Sequence, residues 1–564
     1  MKFSEMPLRI PSEKSLAKKI EKLADALLAA KDAQTAIKVV KKFFKLSDDL
    51  ESDLTIIQIR NSINTEDPVY AKANDKLDMI LPVITGQFQE FEKLVYESKF
   101  RPELEAKFGS LFFKQIELGF KTFDQKIIPE LQKENQLTTE YSKLIAGAKI
   151  EFRGETYNMT QLAKFMSDLD RQTRIDAAHA YYGYIEAHDE DFGNVYDGLV
   201  KVRTEMAKKL GYKNFVELGY YRMSRLDYTP EMVAGYRQQI VKDVVPVVKK
   251  LRARQAKRIG IAKPLFTDYA LTYLSGNPKP VGNSEYLVGK AKEMYHAMSE
   301  VSGQFFDFMV ENELMDLDAK PGKMSGGYMT FIPKYKSPFI FANSNGTSHD
   351  VDTLTHEVGH ALQGYLTGNF VVPSYRMPTM DAAEIDSMSM EFFAWPWMES
   401  FFGEAADKYR FQHLDGAISF LPYGVEVDDF QHFVYEHPEA THAERCAYWA
   451  KIDKMYRPWM NYDGFDYLKK GTIWIKQSHI FQSPFYYIDY TLAQVCALQF
   501  KCEMDKNREK AWKKYIKLSK MGGKYTFLEL LAKDGLRNPF IDGNVKKVIK
   551  PQVKVLDSFD DSKF

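Results

Sequence analysis

His356-Glu357-Val358-Gly359-His360 sets two imidazoles four residues apart with a carboxylate between them. Chance produces this HExxH pattern only about 0.01–0.02 times in a chain of this length and composition. The run THEVGHALQGYL around it has helical periodicity. On a helix, positions i and i+4 share one face. Both ring nitrogens can then reach one ion at about 2.0–2.1 Å, the zinc–nitrogen distance. Glu357 neighbours the first ligand and faces the water that such an ion acidifies, not the ion itself. The chemistry of that arrangement is metal-assisted hydrolysis. Two core histidines could share the spacing by accident, but the intervening glutamate weighs against that.

A catalytic zinc takes three protein ligands and keeps one open position. The HExxHxxGxxH layout would need Gly at 363 and His at 366, where this chain has Gln363 and Leu366. No Asp or Glu occurs between 361 and 380. The next acids are Asp381, Glu384, Asp386 and Glu391 in TMDAAEIDSMSMEFF, which reads as a second helix ended or kinked near Pro396. Glu384 is favoured as third ligand, because its longer stem reaches across a helix pair and it completes a His₂Glu set. Asp381 and Asp386 are expected as a cap and a solvated or outer-sphere group. Asp352, one turn before His356, and Glu391, two turns after Glu384, are candidates to hold the imidazoles by their outer N–H. Asp352 reads equally as a first-turn acid favoured by the helix dipole.

The elements that must position these groups are mostly helical. Thr347 or Ser348 offers an N-cap for the HExxH helix. Residues 14 to about 145 read as successive helices, broken at Asp67-Pro68 and Arg101-Pro102. KIEFRGETYNMT (149–160) reads as a short hairpin, and YMTFIP and PFIFAN are the best further strands. The expected division is an N-terminal helical region, 1–150, and a region carrying the site, 151–564. Lys+Arg and Asp+Glu are both 77, so no basic excess points to nucleic acid. Three cysteines are too few for a disulfide framework. The start, MKFSEMPLRIPSEK, has no apolar core of a signal peptide, and no run suggests a membrane span. These features predict a cytoplasmic protein with neither nucleic-acid nor membrane partners.

NSNGTSHDVDTLTHEVGHALQ, followed by AAEIDSMSMEFF, resembles the thimet oligopeptidase / oligoendopeptidase F family of zinc metallopeptidases, nearer the oligoendopeptidase F branch. KPGKMSGGYMTF, LPYGVEVDDFQHFVYEHPEAT, HIFQSPFYYIDY and GGKYTFLELLAKDGLRNPF extend the resemblance over about residues 150–545. It implies a two-lobed helical clamshell around a deep channel, with a small β-sheet near one zinc ion per chain. It implies His356, His360 and Glu384 as ligands and Glu357 as general base. It implies His479, Tyr487 and Tyr490 as catalytic groups over the metal, with Tyr486 the nearest substitute and a substrate contact. By spacing alone that aromatic cluster reads as core. Gly326-Gly327-Tyr328 is implied as a strand edge for an extended peptide, against a plain Gly-Gly turn. His432 reads as structural. The activity implied is endopeptidase cleavage of short peptides, with no oligomeric state implied. The rivals are an exopeptidase with the same zinc chemistry, which needs a terminus-binding group, and a non-catalytic helical peptide-binding scaffold.

Overall fold

The apolar-stepped N-terminal sequence forms the expected run of helices in the computed structural model, which describes residues 1–563. The longest of them is α1 (Ala33–Ile63), started by Asp32, whose carboxylate accepts the Thr35 N–H at 2.7 Å. Asp67 caps the next helix directly ahead of Pro68, a residue suited to a first turn. These helices close two apolar clusters, one around Phe43, Phe91 and Phe112 and one around Ile57, Leu77 and Ile84. α2 (Ile128–Ala146) packs instead on α3 (Asp189–Lys209) and joins the large core of the rest of the chain.

The hairpin forms as expected from β1 (Ile150–Phe152) and β2 (Glu155–Tyr157), paired antiparallel. Its two-residue turn needs positive φ at both positions, which Arg153 and Gly154 adopt. A second sheet has the order β3–β5–β4, from β3 (Met315–Asp318), β4 (Tyr328–Ile332) and β5 (Ser337–Ser344). β5 is its buried centre, parallel to β3 and antiparallel to β4. The sequence reading found β4 and β5. It missed β3, whose MDLD is short and acidic and pairs only because β5 offers it a free edge.

α4 (His349–Thr367) follows β5 almost directly and lies against β5 and β4. α5 (Met380–Phe393) is sandwiched between α4 and α8 (Tyr487–Lys506), while α6 (Ala406–Glu436) and α7 (Ser478–Gln482) complete the surroundings. From Asp381 to Phe393, α5 is buried everywhere but at the partly buried Glu391. It ends at Ala394, ahead of Trp395-Pro396, as the proline requires. The N-cap expected of Thr347 or Ser348 is not made. Ser348 Oγ accepts from Gln412 and the Thr347 hydroxyl donates to Asn345. Asp350, inside the first turn, reaches back to accept the Asn345 and Gly346 N–H groups at 2.9 and 2.8 Å. A side chain thus fixes the loop ahead of the helix instead of its first N–H groups. Among the described residues, no helix is long and apolar enough to cross a membrane.

The α4–α5 crossing depends on Gly359, between the two histidines. A Cβ there would lie 2.6 Å from Ser387 Cα and 2.7 Å from the Asp386 carbonyl, both backbone atoms that cannot swing aside. Gly359→Ala is therefore expected to destabilise the protein by about 1–3 kcal/mol. Gly235→Ala, in a helix with nothing within 4 Å, is expected to be neutral or to stabilise by up to about 1 kcal/mol. Denaturant melts of the two variants beside wild type test the contrast.

Candidate metal centre and active site

His356 and His360 rise one turn apart on α4, ring centroids 5.0 Å from each other. α5 brings Glu384 opposite, its Oε2 3.1 Å from His356 Nε2 and 3.3 Å from His360 Nε2. These three form the one group among the described residues whose donor atoms lie within 4.8 Å of one another and so could hold a metal. The spacing fits zinc, because bonds of about 2.0–2.1 Å at tetrahedral angles set ligand atoms about 3.3 Å apart. The charge fits too. Burial would raise the Glu384 pKa, but His360 and His356 hold it well below the usual carboxylate range. Glu384 Oε2 also accepts the Ser387 hydroxyl at 2.9 Å, and Oε1 accepts the Tyr486 hydroxyl.

Behind His356 runs a chain of directed hydrogen bonds. The Trp395 indole N–H donates to His413 Nδ1 at 3.0 Å, and an indole can only donate. That leaves the His413 proton on Nε2, which lies 2.6 Å from Glu391 Oε2. Glu391 Oε1 lies 2.7 Å from His356 Nδ1. His356 therefore carries a proton on Nδ1, which leaves Nε2, facing Glu384 and His360, as the nitrogen that can give its lone pair to a metal. Burial opposes the charge on Glu391, yet hydrogen bonds from His356 and His413 bring its pKa down to about 2.

Asp352 does not join this chain. Its carboxylate accepts the Tyr409 hydroxyl and lies 3.8 Å from His349, with no hydrogen bond to either candidate ligand. Asp381 and Asp386 depart from expectation as well. Asp381 does not cap the helix but, buried, accepts from Tyr228 and Thr379, and Asp386 is buried rather than solvated and accepts the Ser519 hydroxyl. His432, paired with Tyr220 at 3.1 Å, stands away from the cavity.

Glu357 is buried, and burial raises its pKa above the ordinary carboxylate value. Its Oε2 has no hydrogen-bond partner. Oε1 faces Gly327, where a Cβ would come within 3.5 Å of it. Gly327 thus leaves the Glu357 carboxylate open to the cavity that both line, about 560 Å³ in volume. Tyr328, next in sequence, stacks on Phe341 at 4.8 Å, so its ring serves the sheet. Gly326 keeps a left-handed backbone at φ 91°.

α7 and the start of α8 form the facing wall. Tyr423 donates to Gln477 Oε1 at 2.8 Å, which orients the amide so that its Nε2 donates to His479 Nδ1 at 2.7 Å. The His479 proton is then on Nε2, 3.3 Å from the Tyr490 hydroxyl. Burial pushes the His479 pKa down to about 4, so the ring is a neutral donor at neutral pH. Tyr487 lines the cavity, but its ring packs edge-on against Phe420 and Tyr423. Tyr486 and Tyr490, with rings 4.9 Å apart, are the phenols nearest the carboxylates. His413, Trp395, Gln477 and Tyr423 escaped sequence reasoning, because each acts through a partner on another segment and none forms a local motif.

Models of known families match two parts of the chain: "Peptidase M3 N-terminal domain" over residues 3–123 and "Peptidase family M3" over residues 280–548. Oligoendopeptidase F (plasmid) of Lactococcus lactis subsp. cremoris is 22% identical over 558 residues, spanning 94% of this chain and 90% of the relative. Among solved structures, PZ peptidase A with inhibitor 2 superposes at TM-score 0.98 with 46% identity, covering 99% of this chain and 100% of that one. A proposed oligoendopeptidase F from Bacillus anthracis str. Ames superposes at 0.94 with 44% identity, covering 100% and 99%.

The bond from His356 to Glu391 sets a measurable expectation. Glu391→Ala should weaken zinc binding about 10–100-fold in a chelator competition. Asp352→Asn, whose carboxylate bonds Tyr409 and neither imidazole, should leave the affinity unchanged.

Proposed function

The chain belongs to peptidase family M3, on its oligoendopeptidase F branch, and from that premise we propose that it is a zinc-dependent endopeptidase cleaving internal bonds of short peptides. The observation that carries this reading is Glu357: a buried carboxylate with one unpartnered oxygen, beside two imidazoles and a third ligand at tetrahedral spacing. His356, His360 and Glu384 would hold one zinc ion. When bound, zinc supplies Lewis acidity toward the scissile carbonyl and toward the attacking water.

The chain's own residues carry the protons. Glu357 takes one from the attacking water and returns it to the leaving amine. Its burial favours this, since a carboxylate with a raised pKa is a stronger base. His479 Nε2–H and the Tyr490 hydroxyl point toward the same cavity as donors for the developing oxyanion. Tyr486 steadies Glu384, and the exposed Gly326–Gly327 backbone offers hydrogen bonds to an extended peptide. A walled cavity of this volume suits a strand of peptide and excludes folded protein. A cytoplasmic setting fits the three cysteines, all of them unpaired.

Glu357→Gln should keep stoichiometric zinc and lose about 10²–10⁴ in kcat. Cleavage at the wild-type rate with zinc retained would refute the base assignment. Tyr490→Phe should lose about 10²–10³ in kcat with little change in KM. Mass spectrometry of products from peptides blocked at both ends decides the mode of attack: internal cuts support an endopeptidase, and intact blocked peptides beside trimmed free ones an exopeptidase.

A further inference from the structure

The cavity lined by His356 and Glu357 is also lined by Met388, Gly416, Ala417, Phe420 and Gln494, none of which the proposed hydrolysis uses. Met388 lies one turn after Glu384 on α5, and Gln494 lies one turn after Tyr490 on α8. A turn advances a helix by about 5.4 Å, so both stand one layer past the reacting groups. α6 supplies the other three, and its Phe420 ring meets Tyr487 of α8 edge-on at 5.7 Å. A Cβ at Gly416 would meet nothing within 4 Å, so α6 leaves the cavity wide there.

Gln494 does not match these apolar neighbours. It is only 5% exposed, and its Nε2 has no hydrogen-bond partner. Among the described residues, its side chain makes no hydrogen bond at all. Gln477, on the same side of the site, has both ends of its amide engaged by Tyr423 and His479. A buried amide without partners is unfavourable, and a ligand group that supplies them relieves this.

Chemistry selects the group. An orphaned N–H needs an acceptor, which excludes lysine and arginine side chains, because these only donate. A carboxylate accepts, but no lysine or arginine lines the cavity to offset its charge, and Glu357 and Glu391 already do line it. Aliphatic side chains and phenylalanine would leave the amide unpaired. Serine and threonine lack the body to lie against Met388, Ala417 and Phe420. Tyrosine and glutamine remain: each has an apolar body and an uncharged tip that both accepts and donates.

We infer that Gln494 is a specificity-determining residue, which reads the tip of a substrate side chain seated against Met388, Ala417 and Phe420 beside the cleaved bond and selects tyrosine or glutamine there. This rests on the peptidase reading above. The test uses the full-length, zinc-loaded enzyme and two matched peptide pairs, Tyr against Phe and Gln against Met. Each pair is placed directly before and, in a second series, directly after one cleavable bond, with the cut located by mass spectrometry. In one series the hydrogen-bonding member should have a kcat/KM about 10-fold or more above that of its partner. Which pair shows the preference tells a phenol from an amide. Gln494→Leu should bring that ratio to about 1. Gly416→Leu, which fills the cavity from a position without close neighbours, should cost the favoured peptide more than a matched alanine peptide. It tests the pocket independently of how well Gln494→Leu folds. Wild-type ratios near 1 for both pairs in both series, a preference that survives Gln494→Leu, or an equal loss on both peptides in Gly416→Leu would overturn the assignment. Failure of wild type to cleave any of the peptides would instead count against the peptidase reading itself, which separates the two failures.

Discussion

Glu357, Glu384 and Glu391 crowd two imidazoles in a site walled by buried helices, and the surrounding structure exists to hold that charge in place. Negative groups taken from water need a cation, protons or directed hydrogen bonds. Each carboxylate here has a different answer. Glu391 takes two imidazole N–H groups and stays ionised. Glu384 faces both candidate ligands and accepts from Ser387 and Tyr486, which leaves it ready for a cation. Glu357 has neither, and its raised pKa records the lack. One shell of side chains thus gives three carboxylates of the same type the different environments that the proposed orienting group, ligand and base each need.

Holding these positions needs helices that cannot slide, and two devices supply that. Gly359 lets α4 and α5 meet backbone to backbone, which sets the height of Glu384 against the histidine pair. The start of α8, which carries Tyr486 and Tyr490, is tied back to α5 through buried polar groups. Arg225 donates to Asp489 at 2.6 Å, and Tyr228 bridges Asp489 and Asp381 at 3.3 and 2.8 Å. Removing one partner of such a buried pair leaves the other charge uncompensated, at a cost of about 3–5 kcal/mol. The phenols and Glu384 therefore keep their separation through the same contacts that stabilise the core.

Legibility in the sequence followed the range of each interaction. His356, Glu357 and His360 are a local motif on one helix, and Glu384 sits on the next helix, favoured over Asp381 and Asp386 by its longer stem, so spacing pointed to them. The hairpin was legible because its turn chemistry lies within two residues. β3 was not, because its pairing comes from β5, more than twenty residues away. Asp352 was placed behind a histidine on helical geometry, but Tyr409 on α6 claims it. His413 and Gln477 work entirely through partners on other segments, which no periodicity encodes. The Tyr cluster was legible as a cluster. Which phenol faces the carboxylates depends on the entry of α8 after Phe485, a residue at positive φ that turns the chain.

The two walls of the site set two imidazoles to opposite tasks by one rule. His356 has an acceptor on its outer nitrogen: Glu391 takes the Nδ1–H, so Nε2 is the nitrogen left to face a metal, as the ligand role proposed above requires. His479 has a donor there: the Gln477 amide gives its N–H to Nδ1, so Nε2 keeps its proton, as the oxyanion partner proposed above must. Each setting is fixed one residue deeper, by Trp395 through His413 in the first chain and by Tyr423 in the second. The proposed division of labour between ligand and hydrogen-bond donor therefore rests on the outer partners, because the same ring type serves either task until its second nitrogen is engaged.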